Sequence, residues 1–90
     1  MINMLIKEVV LKYDFHARPC AYFVNQASKF QSSITIIAED KSVNAKSIIS
    51  VLTSELVKDD RIKIIIDGID ENKAMQKLMH LIQDPLEKDW

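Results

Sequence analysis

Arg61-Ile62-Lys63-Ile64-Ile65-Ile66-Asp67 alternates so that Ile62, Ile64 and Ile66 share one face while Arg61, Lys63, Ile65 and Asp67 share the other. A period of two is the pattern of a strand with one side against a core and the other toward water. Lys58-Asp59-Asp60 just before it reads as a turn. Further upstream, Ser47 is placed to cap a short helix carrying Ile48, Ile49, Val51, Leu52 and Leu56, an apolar stripe wider than a short helix needs. Residues 33–39 alternate again, with Ile34, Ile36 and Ala38 against Ser33, Thr35, Ile37 and Glu39. Glu39-Asp40-Lys41 makes a turn, and residues 42–44 return as a short antiparallel strand. Downstream of Gly68, Asp70-Glu71-Asn72 sets acidic groups at the positive end of a third helix, whose stripe is Ala74, Leu78, Leu81 and Ile82. Asp84-Pro85 is expected to end it.

Toward the N-terminus, residues 4–11 are β-branched and aliphatic apart from Lys7-Glu8, which predicts a strand without fixing which side faces inward. Tyr13-Asp14-Phe15-His16 breaks that pattern, and Pro19 is tolerated in a helix only within its first turn, so a helix starts near His16 or Ala17. Cys20, Phe23, Val24, Ala27 and Phe30 form its apolar face, Asn25, Gln26, Ser28 and Lys29 its wet one, and it is expected to end near Phe30. The order is βαββαβα. Alternating strands imply a four-stranded antiparallel sheet with one wet face, and three amphipathic helices bury their stripes by covering the other, which is an α+β open-faced β-sandwich.

Composition narrows the functions. Ninety residues, 48% of them apolar, suffice for one domain and leave no room for a second. A single cysteine excludes a disulfide framework and a multi-cysteine zinc site. The balance of 12 basic against 13 acidic side chains argues against a nucleic-acid groove. Apolar runs such as Ile64-Ile65-Ile66 fall far short of the ~20 residues that span a bilayer. Met1-Ile2-Asn3-Met4-Leu5-Ile6 has neither the basic start nor the small-residue cleavage site of a signal peptide, so a cytoplasmic location is expected. His80 is expected on the solvated side of the last helix, and Trp90 to pack loosely or not at all.

The chemistry concentrates in His16-Ala17-Arg18-Pro19. The first turn of a helix presents unpaired N–H groups and a positive dipole end, a ready site for phosphate. Arg18 adds a permanently charged planar donor set, and Pro19 removes an N–H that has no helical partner there. A neutral imidazole carries a nitrogen lone pair near physiological pH, so His16 can accept and release a phosphoryl group. The same residues also admit a plain capping or surface histidine. Cys20, one turn on, admits a thiol-dependent site with His16, since a helix N-terminus lowers a thiol pKa. Beyond Asp14, His16 and Cys20 no group of ligand-type side chains stands together, and no metal is expected.

Phe15-His16-Ala17-Arg18-Pro19 and Lys46-Ser47-Ile48-Ile49-Ser50-Val51-Leu52 together resemble the HPr family, the histidine-containing phosphocarrier proteins of the bacterial phosphoenolpyruvate-dependent sugar phosphotransferase system. The resemblance covers essentially the whole chain and implies one HPr-like domain over residues 1–90 with the βαββαβα order. It implies that His16 takes a phosphoryl group on Nδ1 from enzyme I and passes it to enzyme IIA domains, so that the protein is a carrier rather than an enzyme. Arg18 and the backbone of Ala17 and Arg18 would hold the phosphate in transit. Ser47 would be a regulatory phosphorylation site, used by an HPr kinase/phosphorylase and read by a transcriptional co-regulator. Ile48, Ile49 and Leu52, with Phe15 and Tyr22, are expected to form an exposed patch that docks donor and acceptor. No cofactor is implied beyond the covalently carried, phosphoenolpyruvate-derived phosphoryl group, and a monomer is expected.

Four positions depart from the family pattern. Asp14 stands where a glycine is usual, so a residue tolerant of positive φ is expected there, with a carboxylate near His16 that would favour imidazolium and repel phosphate. Phe15 replaces an aliphatic residue, Cys20 a small Ala or Ser, and Ser54 an aliphatic one.

Overall fold

The computed structural model describes residues 4–83. The elements are β1 (Leu5–Val10), α1 (Ala17–Ala27), β2 (Ser33–Ala38), β3 (Lys41–Asn44), α2 (Ile48–Thr53), β4 (Arg61–Asp67) and α3 (Glu71–Gln83). They form one sheet in the order β1-β4-β2-β3. Every neighbouring pair is antiparallel. This is the βαββαβα open-faced sandwich expected from the alternation. Asp84-Pro85, Trp90 and residues 1–3 lie outside the described residues.

Register explains the layering. Val9 pairs with Ile62, Ile64 with Ile36, Ile66 with Ile34, and Ile36 with Val43, so these side chains share the helix-covered face. All are buried. The opposite parity puts Ile6 beside Ile65 and Thr35 beside Ile65 on the open face. The inward parity of β1 is thereby settled as Leu5, Lys7 and Val9. Lys7 pairs with Ile64 yet stays exposed, because β1 is the sheet's edge.

Two helix boundaries differ from expectation. α1 stops at Ala27 rather than near Phe30: the Ser28 hydroxyl and N–H both donate to the Val24 carbonyl, at 2.8 and 2.9 Å. The Lys29 and Phe30 N–H groups then reach back only three residues, to Gln26 and Ala27, which tightens the chain out of the α-helix. α2 stops at Thr53, so Leu56 is buried beyond it rather than on its stripe. Glu55, just after the Ser54 C-cap, has φ of +56°, the left-handed conformation that glycine favours at this place. Glu55→Gly is therefore expected to raise stability by about 0.5–1 kcal/mol, the relief of the Cβ clash less the flexibility glycine adds to the unfolded chain. Urea unfolding checks this, and a lower midpoint would contradict it.

The turn into α3 is held by carboxylates. Glu71 Oε1 accepts the Gly68 N–H at 3.0 Å. Asp70 Oδ1 accepts the Ser32 N–H at 2.9 Å and the Ser32 hydroxyl at 2.5 Å, and its Oδ2 accepts the Gln31 N–H at 2.8 Å. The Ser32 hydroxyl first, then the Gln31 N–H, hold the Asp70 carboxyl down at about 2, below its ordinary 3.8. A carboxylate depressed on folding contributes stability that is complete above its unfolded value and lost as pH falls through the folded one. Stability is thus expected to drop between about pH 4 and pH 2, and Asp70→Asn to lose less over that window. Urea midpoints of both proteins at pH 5 and pH 2 measure this; parallel losses would contradict it.

Candidate functional site

Leu11 to His16 join β1 to α1, and this loop is tied on three sides. The Leu11 N–H donates to the Asp60 carbonyl and the Asp59 N–H to the Leu11 carbonyl, each at 2.9 Å, while the Phe15 N–H donates to the Leu56 carbonyl at 2.9 Å. The Tyr13 hydroxyl donates to the Leu81 carbonyl at 2.6 Å, satisfying one of the last carbonyls of α3. Burial pushes the Tyr13 phenol up, so it remains a donor. Asp14 Oδ1 accepts the Lys58 N–H at 2.8 Å.

These ties deliver His16 to the start of α1. It is the N-cap in extended backbone, φ −133° and ψ 161°, and its side chain makes no capping hydrogen bond. The imidazole is exposed and makes no capping hydrogen bond, so His16 occupies the cap position as a surface side chain. Ala17 follows with φ of +47°, a left-handed conformation unusual for a residue with a Cβ. Arg18 is exposed, Pro19 falls in the first turn, and no acidic residue shares that turn. A helix start and a guanidinium suit an anion carried by the ring.

Beside α1 stands α2. Cys20 Sγ lies 4.0 Å from the Ile48 carbonyl, which sets the first turn of α2 against the first turn of α1. Ser47 caps α2 by accepting the Ser50 N–H at 3.2 Å, as expected, and is half-buried. Ile48 is 45% exposed, Ile49 72% and Leu52 44%, whereas Val51 is fully buried and supplies the inward face. Tyr22 is half-buried and packs against the core. Val57, 45% exposed, adds an apolar surface that the sequence reading did not single out.

Phe15 is the exception. Expected in the exposed patch, it is buried, with its ring 5.0 Å from that of Phe23 and stacked 5.5 Å from that of Tyr13. An aromatic ring gains more by filling the space under the loop than by lying on the surface. Phe15 therefore anchors the site from below. Asp14 is also corrected: its backbone is not left-handed, that role falling to Ala17, and one carboxylate oxygen is engaged by the Lys58 N–H.

Cys20 is fully buried, and burial pushes its thiol up, opposite to the shift that activates a thiolate. The thiol-dependent reading loses its basis. Among the described residues no three His, Cys, Asp or Glu side chains converge as metal ligands, and no helix is long and apolar enough to cross a membrane. His80 is exposed and lines a cleft between β1 and α3 with Leu5, Lys7, Met75 and Met79. That cleft contains neither His16 nor Arg18.

Comparison with known proteins agrees with this geometry. A family model described as the phosphotransferase-system HPr component phosphorylation site matches residues 7–84. The phosphocarrier protein HPr of Buchnera aphidicola from Acyrthosiphon pisum is 41% identical over 80 residues, covering 89% of this chain and 93% of that protein. The crystal structure of an HPr from Bacillus anthracis superimposes with a TM-score of 0.83 at 34% identity, over 89% of this chain and 98% of that one. Crh, a catabolite repression protein of Bacillus subtilis crystallised as an intertwined, swapped dimer, gives 0.74 at 32% identity, over 98% of this chain and 100% of that one.

Proposed function

The chain belongs to the HPr family, and we propose that it is a phosphocarrier in which His16 takes a phosphoryl group from a phosphorylated histidine of enzyme I and hands it to an enzyme IIA domain. The observation that carries this reading is the His16 imidazole, exposed at the N-terminus of α1 and unspent on the cap, with the first turn of α1 set through Cys20 against the first turn of α2, which carries the exposed Ile48, Ile49 and Leu52. In the forward step the neutral Nδ1 attacks phosphorus, a P–N bond forms to His16, and the P–N bond to the donor imidazole breaks as that ring leaves. Donation reverses the roles. Arg18 and the N–H groups of Ala17 and Arg18 receive charge on the phosphoryl oxygens. No cofactor takes part. His16 is presented to protein partners in turn, which requires a monomer in the cytoplasm with its α2 surface open. Size-exclusion chromatography at working concentration separates that state from a dimer such as Crh forms.

Transfer through the relay tests this. With labelled phosphoenolpyruvate, enzyme I and an enzyme IIA domain of a related bacterium, label is expected on the IIA domain only when this chain is added. Label that stops on enzyme I, with the same components active on another HPr, would reject the reading.

A second reading is favoured by the likeness to Crh and by Ser47 at the edge of the apolar surface. Here an HPr kinase/phosphorylase modifies Ser47, and the phosphoprotein binds a transcriptional co-regulator. Charge added beside Ile48 and Ile49 would oppose acidic partners and favour basic ones. Retention of His16 favours the carrier. Equal co-regulator binding before and after Ser47 phosphorylation would remove this second reading.

A further inference from the structure

We propose that Asp14 is a positioning residue for transfer at His16: its carboxylate, by accepting the Lys58 N–H, clamps the loop before His16 to the turn between α2 and β4. The inference rests on the phosphocarrier reading. His16 has no side-chain hydrogen bond to the helix, so the backbone on either side sets where its ring stands. On the far side is Ala17 at φ +47°, a conformation that persists only where its surroundings over-determine it. On the near side the loop is anchored at its start by Leu11 and at its end by Phe15. Between those anchors, Tyr13 and Asp14 supply side-chain ties in different directions, to the Leu81 carbonyl of α3 and to the Lys58 N–H.

The base of the clamp is itself fixed. Asp60 Oδ2 accepts the Val57 N–H at 3.0 Å and the Asp60 N–H returns to the Val57 carbonyl at 3.1 Å, closing the turn that presents Lys58. Asp14 is exposed and fills no part of the core, so its contribution is the hydrogen bond. That bond needs an acceptor oxygen and not a negative charge. Asparagine can supply one; alanine cannot.

Initial rates of phosphoryl uptake from phosphorylated enzyme I, with the concentration of this chain varied, separate the possibilities for wild type, Asp14→Asn and Asp14→Ala. The assay runs well below all three melting midpoints. Asp14→Ala is expected to lower the maximal rate about tenfold with KM within about twofold, since misplacing a reacting group costs rate rather than docking. Asp14→Asn is expected to react at least as fast as the wild type, since it keeps the acceptor oxygen and removes a charge that opposes phosphate. The His16 ring and Lys58 amide resonances are expected to move in Asp14→Ala and to hold in Asp14→Asn. Equal rates in all three would overturn the proposal, leaving Asp14 with a purely structural tie. Asn behaving as Ala would also overturn it, by showing that charge and not the acceptor matters. Absence of uptake by wild type would overturn the carrier reading and this inference together, whereas uptake by wild type with no Asp14→Ala deficit overturns this inference alone.

Discussion

His16→Ala is expected to accept no phosphoryl group at any donor concentration while folding as the wild type does. The two halves of that result have separate causes. On the carrier reading acceptance vanishes because the attacking nitrogen is removed, and the other groups at the helix start, Arg18 and the backbone N–H groups, would hold phosphate without forming a bond to it. The fold survives because the His16 side chain is exposed and makes no capping hydrogen bond, so little is lost on truncation. A stability change within about 0.5 kcal/mol follows for a surface side chain without partners. Phosphoryl stoichiometry at saturating phosphorylated enzyme I, paired with urea unfolding, measures both. Uptake by the variant would place the acceptor elsewhere, and a collapse in stability would give His16 a structural role that its geometry denies.

Gly68→Ala is expected to be strongly destabilising. A Cβ on Gly68 would lie 2.5 Å from Ser32 Cα, 2.5 Å from Ser32 Oγ and 2.7 Å from Ser32 Cβ. The flexible end of a side chain could swing away, but a backbone carbon cannot. Ser32 is buried and tied twice to one carboxylate: its N–H and hydroxyl both bond Asp70, and the Gln31 N–H beside it bonds the other Asp70 oxygen. Making room therefore means parting the start of β2 from the turn into α3, which breaks the Asp70 contacts. A loss of about 3 kcal/mol is expected, a large share of the 5–15 kcal/mol that keeps a small domain folded. Urea unfolding of the two proteins tests this, and a loss under about 0.5 kcal/mol would show that the approach of Gly68 to Ser32 is looser than described.

The fold was readable wherever one residue type repeats at a fixed period. Ile62, Ile64 and Ile66 point inward together, and Ile34 with Ile36 meets them across the sheet. Periodicity is silent where tertiary context decides. The inward parity of β1 is masked because Lys7 takes an inward position at the sheet edge, where its end still reaches water. The end of α1 turns on a serine hydroxyl competing for the Val24 carbonyl, which periodicity does not register.

At the candidate site, His16 and Arg18 stand out because the chemistry of a helix start is local, whereas Ser47 reads locally only as a cap and enters as a modification site through the resemblance alone. Ile49 is expected outside because the apolar stripe is wider than a short helix needs, and it is 72% exposed while Val51 faces inward. Phe15 was misplaced because its partners Tyr13 and Phe23 form a cluster that only the folded chain assembles. Asp14 departs from the family pattern, but its partner Lys58 is 44 residues away, and the Leu81 carbonyl is 68 residues from Tyr13. No spacing rule links residues so far apart. The loop's rigidity was therefore invisible until the strands brought those segments together.

Intact-mass spectrometry of the wild-type chain after incubation with phosphoenolpyruvate and enzyme I from a related bacterium, followed by peptide mapping under neutral conditions, tests the carrier reading most directly. The account predicts a single phosphoryl adduct that is lost in acid and maps to the peptide containing His16. An acid-stable adduct, an adduct on another residue, or none at all while the same enzyme I phosphorylates another HPr, would contradict it.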